Sequence, residues 1–200
     1  MKTLFLVLMA ILVSTFGVFA QTKTLSANEI ANQISAGKAV SVENAIVVGD
    51  FDLTNLTNQE NDAVYPENGK TAKVYTGRIK ANVSFKNVIF AGKLNLFRKE
   101  SDEKEIREYR VQFENLVVFE NCTFEKDVNF ELTNFNEGVS FANSVFKIQP
   151  LFVRIGLEKF ADLESVVFEQ DAIFQFAQNN PRKVVSVSEL ETILKKSLEN

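Results

Sequence analysis

Two hundred residues suit one domain, and 46% hydrophobic content is ample for a core. Histidine is absent, which removes the usual general base and the commonest transition-metal ligand. A formal charge of −4 argues against a phosphate-binding surface, so no nucleic-acid partner is expected.

The chain opens on a secretory signal pattern over residues 1–20. Lys2 gives the positive start, Leu4 to Phe16 the apolar run, and Val18-Phe19-Ala20 a small-residue cleavage site before Gln21. The protein is therefore expected to be exported, to the periplasm or outside the cell, with no membrane span after cleavage. Over 21–40, Ser26 to Gly37 reads as one short helix: Ser26 as N-cap, Glu29 three residues on, Gly37 as the stop. Its apolar face of Ala27, Ile30, Ala31 and Ile34 needs something to lie on.

A repeat occupies 41–176. From Phe113 to Phe174 a large apolar residue recurs at Phe113, Phe119, Phe124, Phe130, Phe135, Phe141, Phe146, Phe152, Leu157, Leu163, Phe168 and Phe174, with gaps alternating 6, 5, 6, 5. Two residues before each lies a smaller one, such as Val117, Cys122, Thr133 or Ser144. A helical stripe recurs at three and four, and a hairpin shows long period-2 runs. This spacing fits neither, and a fixed period over sixty residues marks a solenoid. The same intervals link Ile79, Phe85, Phe90 and Leu96, and Ile46, Phe51, Leu56 and Val74 are the expected earlier members. Asn87, Asn121, Asn143 and Gly138 suit the corners between them. The lone cysteine, Cys122, falls at an inward position and reads as a small buried hydrophobe.

Two insertions interrupt the rhythm. Residues 57–73 are polar and turn-rich, with Pro66-Glu67-Asn68-Gly69. Residues 97–112 are dense in both charges, and the flanks of Ser101-Asp102-Glu103-Lys104 read as a protruding hairpin. Beyond the repeat, 177–200 read as the turn Gln178-Asn179-Asn180-Pro181 and a helix capped by Ser186 or Ser188. Its face of Leu190, Ile193, Leu194 and Leu198 either closes the last coil or pairs with a second copy, giving a homodimer through the C-terminal helix.

Phe119-Glu120-Asn121-Cys122-Thr123-Phe124 and Phe141-Ala142-Asn143-Ser144-Val145-Phe146 resemble the pentapeptide-repeat family, in particular an exported bacterial type of its Phe-rich branch with alternating spacing. The resemblance implies an all-β fold, a right-handed, quadrilateral parallel β-helix with one central residue per face. Four faces give about five coils, closed by short N- and C-terminal capping helices. Both insertions then fall on one side. There Tyr65, Tyr75, Phe97, Arg98, Arg107 and Tyr109 form the candidate interaction patch.

No nucleophile elbow, phosphate-cradling loop or Cys/His cluster is present, so the chain reads as a non-enzyme without cofactors. The expected function is an exported scaffold mediating protein or glycan interaction in the cell envelope. The alternatives are a carbohydrate-active β-helix enzyme or an acidic DNA mimic that binds topoisomerases. Glu114, Glu120, Glu125 and Glu131 supply the acidic ring on which the mimic, or a calcium site, would rest.

Overall fold

The computed structural model describes residues 22–175 and 182–198. The leader and the turn at 178–181 lie outside the described residues, as does the side chain of Leu198. The described chain is mostly β: many short parallel strands in three sheets, with two helices, consistent with a β-helix solenoid.

The 5/6 spacing becomes columns because each pass of the chain sets its strands in register with the pass before. One column runs Val42, Phe85, Phe119 in direct register, and the pairing of Val117, Val139 and Ala161 carries it on to Phe141 and Leu163. A second runs Leu25, Val47, Phe90, Phe124, Phe146, Phe168. A third runs Ile79, Phe113, Phe135, Leu157. The fourth passes Leu96 and Phe130 to Phe152 and Phe174.

Within a column most rings stack face to face, Phe119 lying 5.5 Å from both Phe85 and Phe141 at 5°. The last pair of the second column, Phe146 with Phe168, turns edge-on at 77°. Phe124 and Phe146 approach to 4.5 Å. Between columns the contacts turn edge-on, as for Phe85 with Phe90 at 5.1 Å and 67°. Both arrangements suit the ring quadrupole, so the rings fill the axis by contact with one another.

The earliest members differ from expectation. Ile46 is in register with Ile89 on an outward, half-buried position and is not beside Ile79. Phe51 pairs with Leu94, so it fills the smaller position two residues before Leu53. Leu56 packs onto the Gly77 backbone, where an added Cβ would lie 2.6 Å from its Cδ1. Val74 lies on an inserted strand in register with Glu108. The true first row is Val42, Val47 and Leu53, spaced 5 and 6 like the rest. Ile46, Phe51 and Leu56 are bulkier but spaced 5 and 5, so size pulled the frame off phase.

Corners follow backbone chemistry. Asn44, Asn87, Asn121, Asn143 and Ser165 stand one above another with φ of 53–58°. Asparagine tolerates this left-handed region best after glycine, because its amide finds local partners. Here Asn87 Nδ2 donates to Asn44 Oδ1 and Asn121 Nδ2 to Asn87 Oδ1, so the corner is also a ladder of amides. Cys122 and Ser144 sit just inside it. The Ser144 hydroxyl donates to the Phe119 carbonyl and accepts from the Cys122 amide, and burial pushes the Cys122 thiol up to about 12.

Helices cover both ends. Ala27–Ser35 buries Ala27, Ile30, Ala31 and Ile34 against the first strands, and Gly37 closes it in a left-handed turn with Lys38 N–H on the Gln33 carbonyl. Ser26 makes no side-chain cap. It ends a strand, Lys23–Ser26, that pairs with Ala45–Val48. At the other end Lys183–Val185 adds antiparallel to Ala172–Gln175, and Val187–Leu198 follows with Leu190 and Leu194 buried. Ser186 is its cap, accepting the Glu189 amide at 3.4 Å.

Candidate interaction site on the inserted sheet

Both interruptions fall between the fourth and third columns, and each is a hairpin. The first is Gln59–Glu67 with Lys70–Ile79, turned by Asn68 and Gly69 with φ of 51° and 75°. Two successive positive φ values match the twist of a two-residue hairpin. The second is Phe97–Ser101 with Glu105–Phe113. Thr71–Ile79 pairs in parallel with Glu105–Phe113, so the hairpins merge into one four-stranded sheet that continues the third column outward.

Side chains alternate across such a sheet, and register assigns them to faces. Asn61, Tyr75, Tyr109 and Arg98 form one cross-strand row. Val64, Lys73, Arg107 and Glu100 form the next row on the same face. Tyr75 stacks on Tyr109 at 5.5 Å and 18°, and the Arg98 guanidinium lies 4.2 Å above the Tyr109 ring. Both faces of the Tyr109 ring are therefore occupied by this chain itself. A sugar platform needs an open ring face, and Tyr109 offers its edge and hydroxyl instead. Arg107 is held by Asp102 at 3.0 Å, with Glu100 and Glu105 near.

Tyr65 and Phe97 point the other way, opposite Ala72 and Arg110. The six patch residues thus divide: Tyr75, Arg98, Arg107 and Tyr109 on one face, Tyr65 and Phe97 on the reverse. The reverse face has a small core of its own, Ala72, Val74 and Ile106, separate from the main cluster.

At its centre is Glu108, only 3% exposed. Lys99 Nζ and the Tyr65 hydroxyl donate to its Oε1 at 3.0 and 3.3 Å, and Arg110 Nη2 donates to Oε2. Burial alone would raise the Glu108 carboxyl. The hydrogen bonds and charges of Arg110 and Lys99 outweigh that and hold it below the usual range. Burial and the nearby charges of Glu108 and Glu67 raise the Tyr65 phenol. Glu108 is accordingly an ionised counter-ion and not a proton donor at neutral pH.

This face overhangs the body of the solenoid, where Arg154 and Gln175 complete a cleft of about 400 Å³ with Tyr65, Glu67, Lys99 and Arg110. Sequence reading missed Glu108, Lys99, Arg110 and Arg154. Strict alternation in Ile106-Arg107-Glu108-Tyr109-Arg110 was the available signal, since it places Glu108 and Arg110 on the Ile106 face.

The acidic ring is largely neutralised by neighbouring rows. Lys86 reaches Glu120 at 2.8 Å, Lys147 reaches Glu125 at 2.9 Å, and Arg154 reaches Glu131 at 3.2 Å. Among the described residues no group of three or more His, Cys, Asp or Glu is arranged to hold a metal ion, and no helix is long and apolar enough to cross a membrane.

A family model described as pentapeptide repeats (9 copies) matches residues 109–147. Its span takes in residues of all four columns over their most regular passes. Over that stretch the chain is similar to pentapeptide-repeat proteins, and its mostly-β frame of short parallel strands is consistent with a solenoid. No curated protein and no solved structure matches the chain.

Proposed function

We propose that the protein is an exported, non-catalytic scaffold that uses its inserted sheet to contact a protein or glycan in the cell envelope. One observation carries the reading. The repeat frame is uniform except where two hairpins, in register from Thr71 with Glu105 to Ile79 with Phe113, join into one sheet with a polar cleft at its foot. Rigid frames that depart from regularity at one place concentrate binding there. Export rests on the Lys2, Leu4–Phe16 and Val18-Phe19-Ala20 pattern. N-terminal sequencing of the cell-envelope form should start at Gln21, and a form retaining residues 1–20 would remove that part.

Register supplies a clean test of the sheet. Seventeen residues separate Leu96 from Phe113, whereas five separate Phe130 from Phe135. Deleting residues 98–109 restores the five-residue step with Val111 still two before Phe113. Capture of partners from cell-envelope extract should be lost in this variant while the far-UV spectrum stays β. Capture equal to that of the intact protein would overturn the role of the sheet.

A further inference from the structure

The cleft beneath the reverse face of the inserted sheet has a chemistry unlike the rest of this acidic molecule. Lys99, Arg110 and Arg154 line it against two carboxylates, Glu67 and Glu108, leaving one positive charge in excess. Glu131 meets Arg154 from outside the cleft, but Arg182 shares that carboxylate at 3.5 Å and offsets it. The donors outnumber the acceptors that meet them. A guanidinium has five N–H donors. Among the described residues Arg110 gives Nη2 to Glu108 and Arg154 gives Nη2 to Glu131, so each guanidinium is anchored at one nitrogen while it lines the cleft.

The acceptors have a different bias. Glu67 takes both its bonds from one ammonium, Lys99 Nζ, at 2.9 and 3.0 Å, and stands at the rim beside the Tyr65 hydroxyl. A bare oxyanion such as phosphate would use the cationic donors but would meet Glu67 as a like charge. A neutral sugar would satisfy the carboxylates with hydroxyls but leave the cationic excess unmet. A ligand with one carboxylate and several hydroxyls satisfies both, and one pyranose ring suits a cleft of about 400 Å³.

We propose that this cleft binds an acidic sugar of the hexuronate class. The sugar carboxylate is taken by Arg154 and Arg110, and its hydroxyls face Glu67 and Tyr65. The inference rests on the scaffold reading above and names a ligand for the same sheet.

The test is a titration of the intact, isotope-labelled protein with D-glucuronate, D-galacturonate, D-glucose and inorganic phosphate at fixed ionic strength, read by amide shifts. At least one uronate should give saturable shifts around residues 65, 99, 108–110 and 154, with glucose and phosphate each weaker by about tenfold or more, the scale of a lost charge-assisted bond. Arg154→Asn should weaken the uronate by about tenfold. Asparagine accepts the backbone φ of 53° at that position, so the fold should hold and the amides of the ring columns should not shift. Tyr65→Phe should cost less, because it removes one neutral bond. Neither uronate binding, glucose or phosphate binding as tightly, or Arg154→Asn leaving affinity unchanged would each overturn the proposal. Unchanged partner capture on deleting 98–109 would overturn the scaffold reading, whereas absent uronate shifts in the intact protein would overturn this proposal, so the two failures are distinguishable.

Discussion

The ring columns and the inserted sheet are built on the same hydrogen-bonded ladder, yet they are held by opposite means. In the columns Phe85, Phe119, Phe124 and Phe141 are fully buried and meet almost only other apolar atoms. In the sheet the buried layer is thin, and an ionised Glu108 at its centre is satisfied by Lys99, Arg110 and Tyr65. Apolar stacking tolerates many similar rows and specifies none. A buried carboxylate with fixed partners specifies one arrangement and loses heavily if a partner is removed. The difference explains how a monotonous frame can carry one distinctive surface.

Breaking the columns should have the largest effect. Phe124→Ala removes a ring stacked between Phe90 and Phe146 and should cost about 3–5 kcal/mol in chemical denaturation. A loss under about 1 kcal/mol would be that of an ordinary surface change. Breaking the sheet should cost less and stay local. Glu108→Gln leaves Lys99 and Arg110 short of a charge, at about 1–3 kcal/mol. Amide exchange should quicken over Gln59–Glu67 and Phe97–Phe113 while Val117–Phe146 keeps its protection. Quickening throughout would mean the two regions share one core.

Acid sharpens the contrast further. The folded Glu108 carboxyl lies below its ordinary range, so its contribution is complete above the unfolded value and is lost as pH falls through the folded one. The sheet should therefore be fully held above the ordinary glutamate range and loosen as pH falls beneath it. Glu108→Gln should abolish that step, and persistence of the step in the variant would assign it elsewhere. Smaller still is the corner. Asn121→Ala should cost about 1 kcal/mol for its left-handed backbone, and Asn121→Gly less. Cys122 should show no maleimide labelling until the protein unfolds, because its thiol is buried and pushed up to about 12.

The columns were legible in the sequence because their signal is size at fixed spacing, which survives without knowledge of any partner. From Ile79 onward every central residue stands where the 5/6 rhythm puts it. The first row was missed because Val42 and Val47 are smaller than the outward Ile46, and size then competed with spacing. The first hairpin is also legible in part: Asn68-Gly69 marks its turn, while the strand Lys70–Ile79 is masked by the polar, turn-rich residues that precede it. The cleft is legible only in its parts. Alternation sets Glu108 and Arg110 on one face, but Tyr65, the pair of Lys99 and Glu108, and Arg154 lie far apart in the chain, and only the pairing of two hairpins and their overhang on a corner at Arg154 brings them together.

The central claim is that side chains from successive passes stack in single files. Nuclear Overhauser contacts between phenylalanine rings in the labelled protein test it most directly. Phe119 should show contacts to Phe85 and to Phe141, its neighbours in one file, as well as to the edge-on rings of Phe90 and Phe124. Rings of Phe85 and Phe141 that are both silent toward Phe119 would contradict the stacked register.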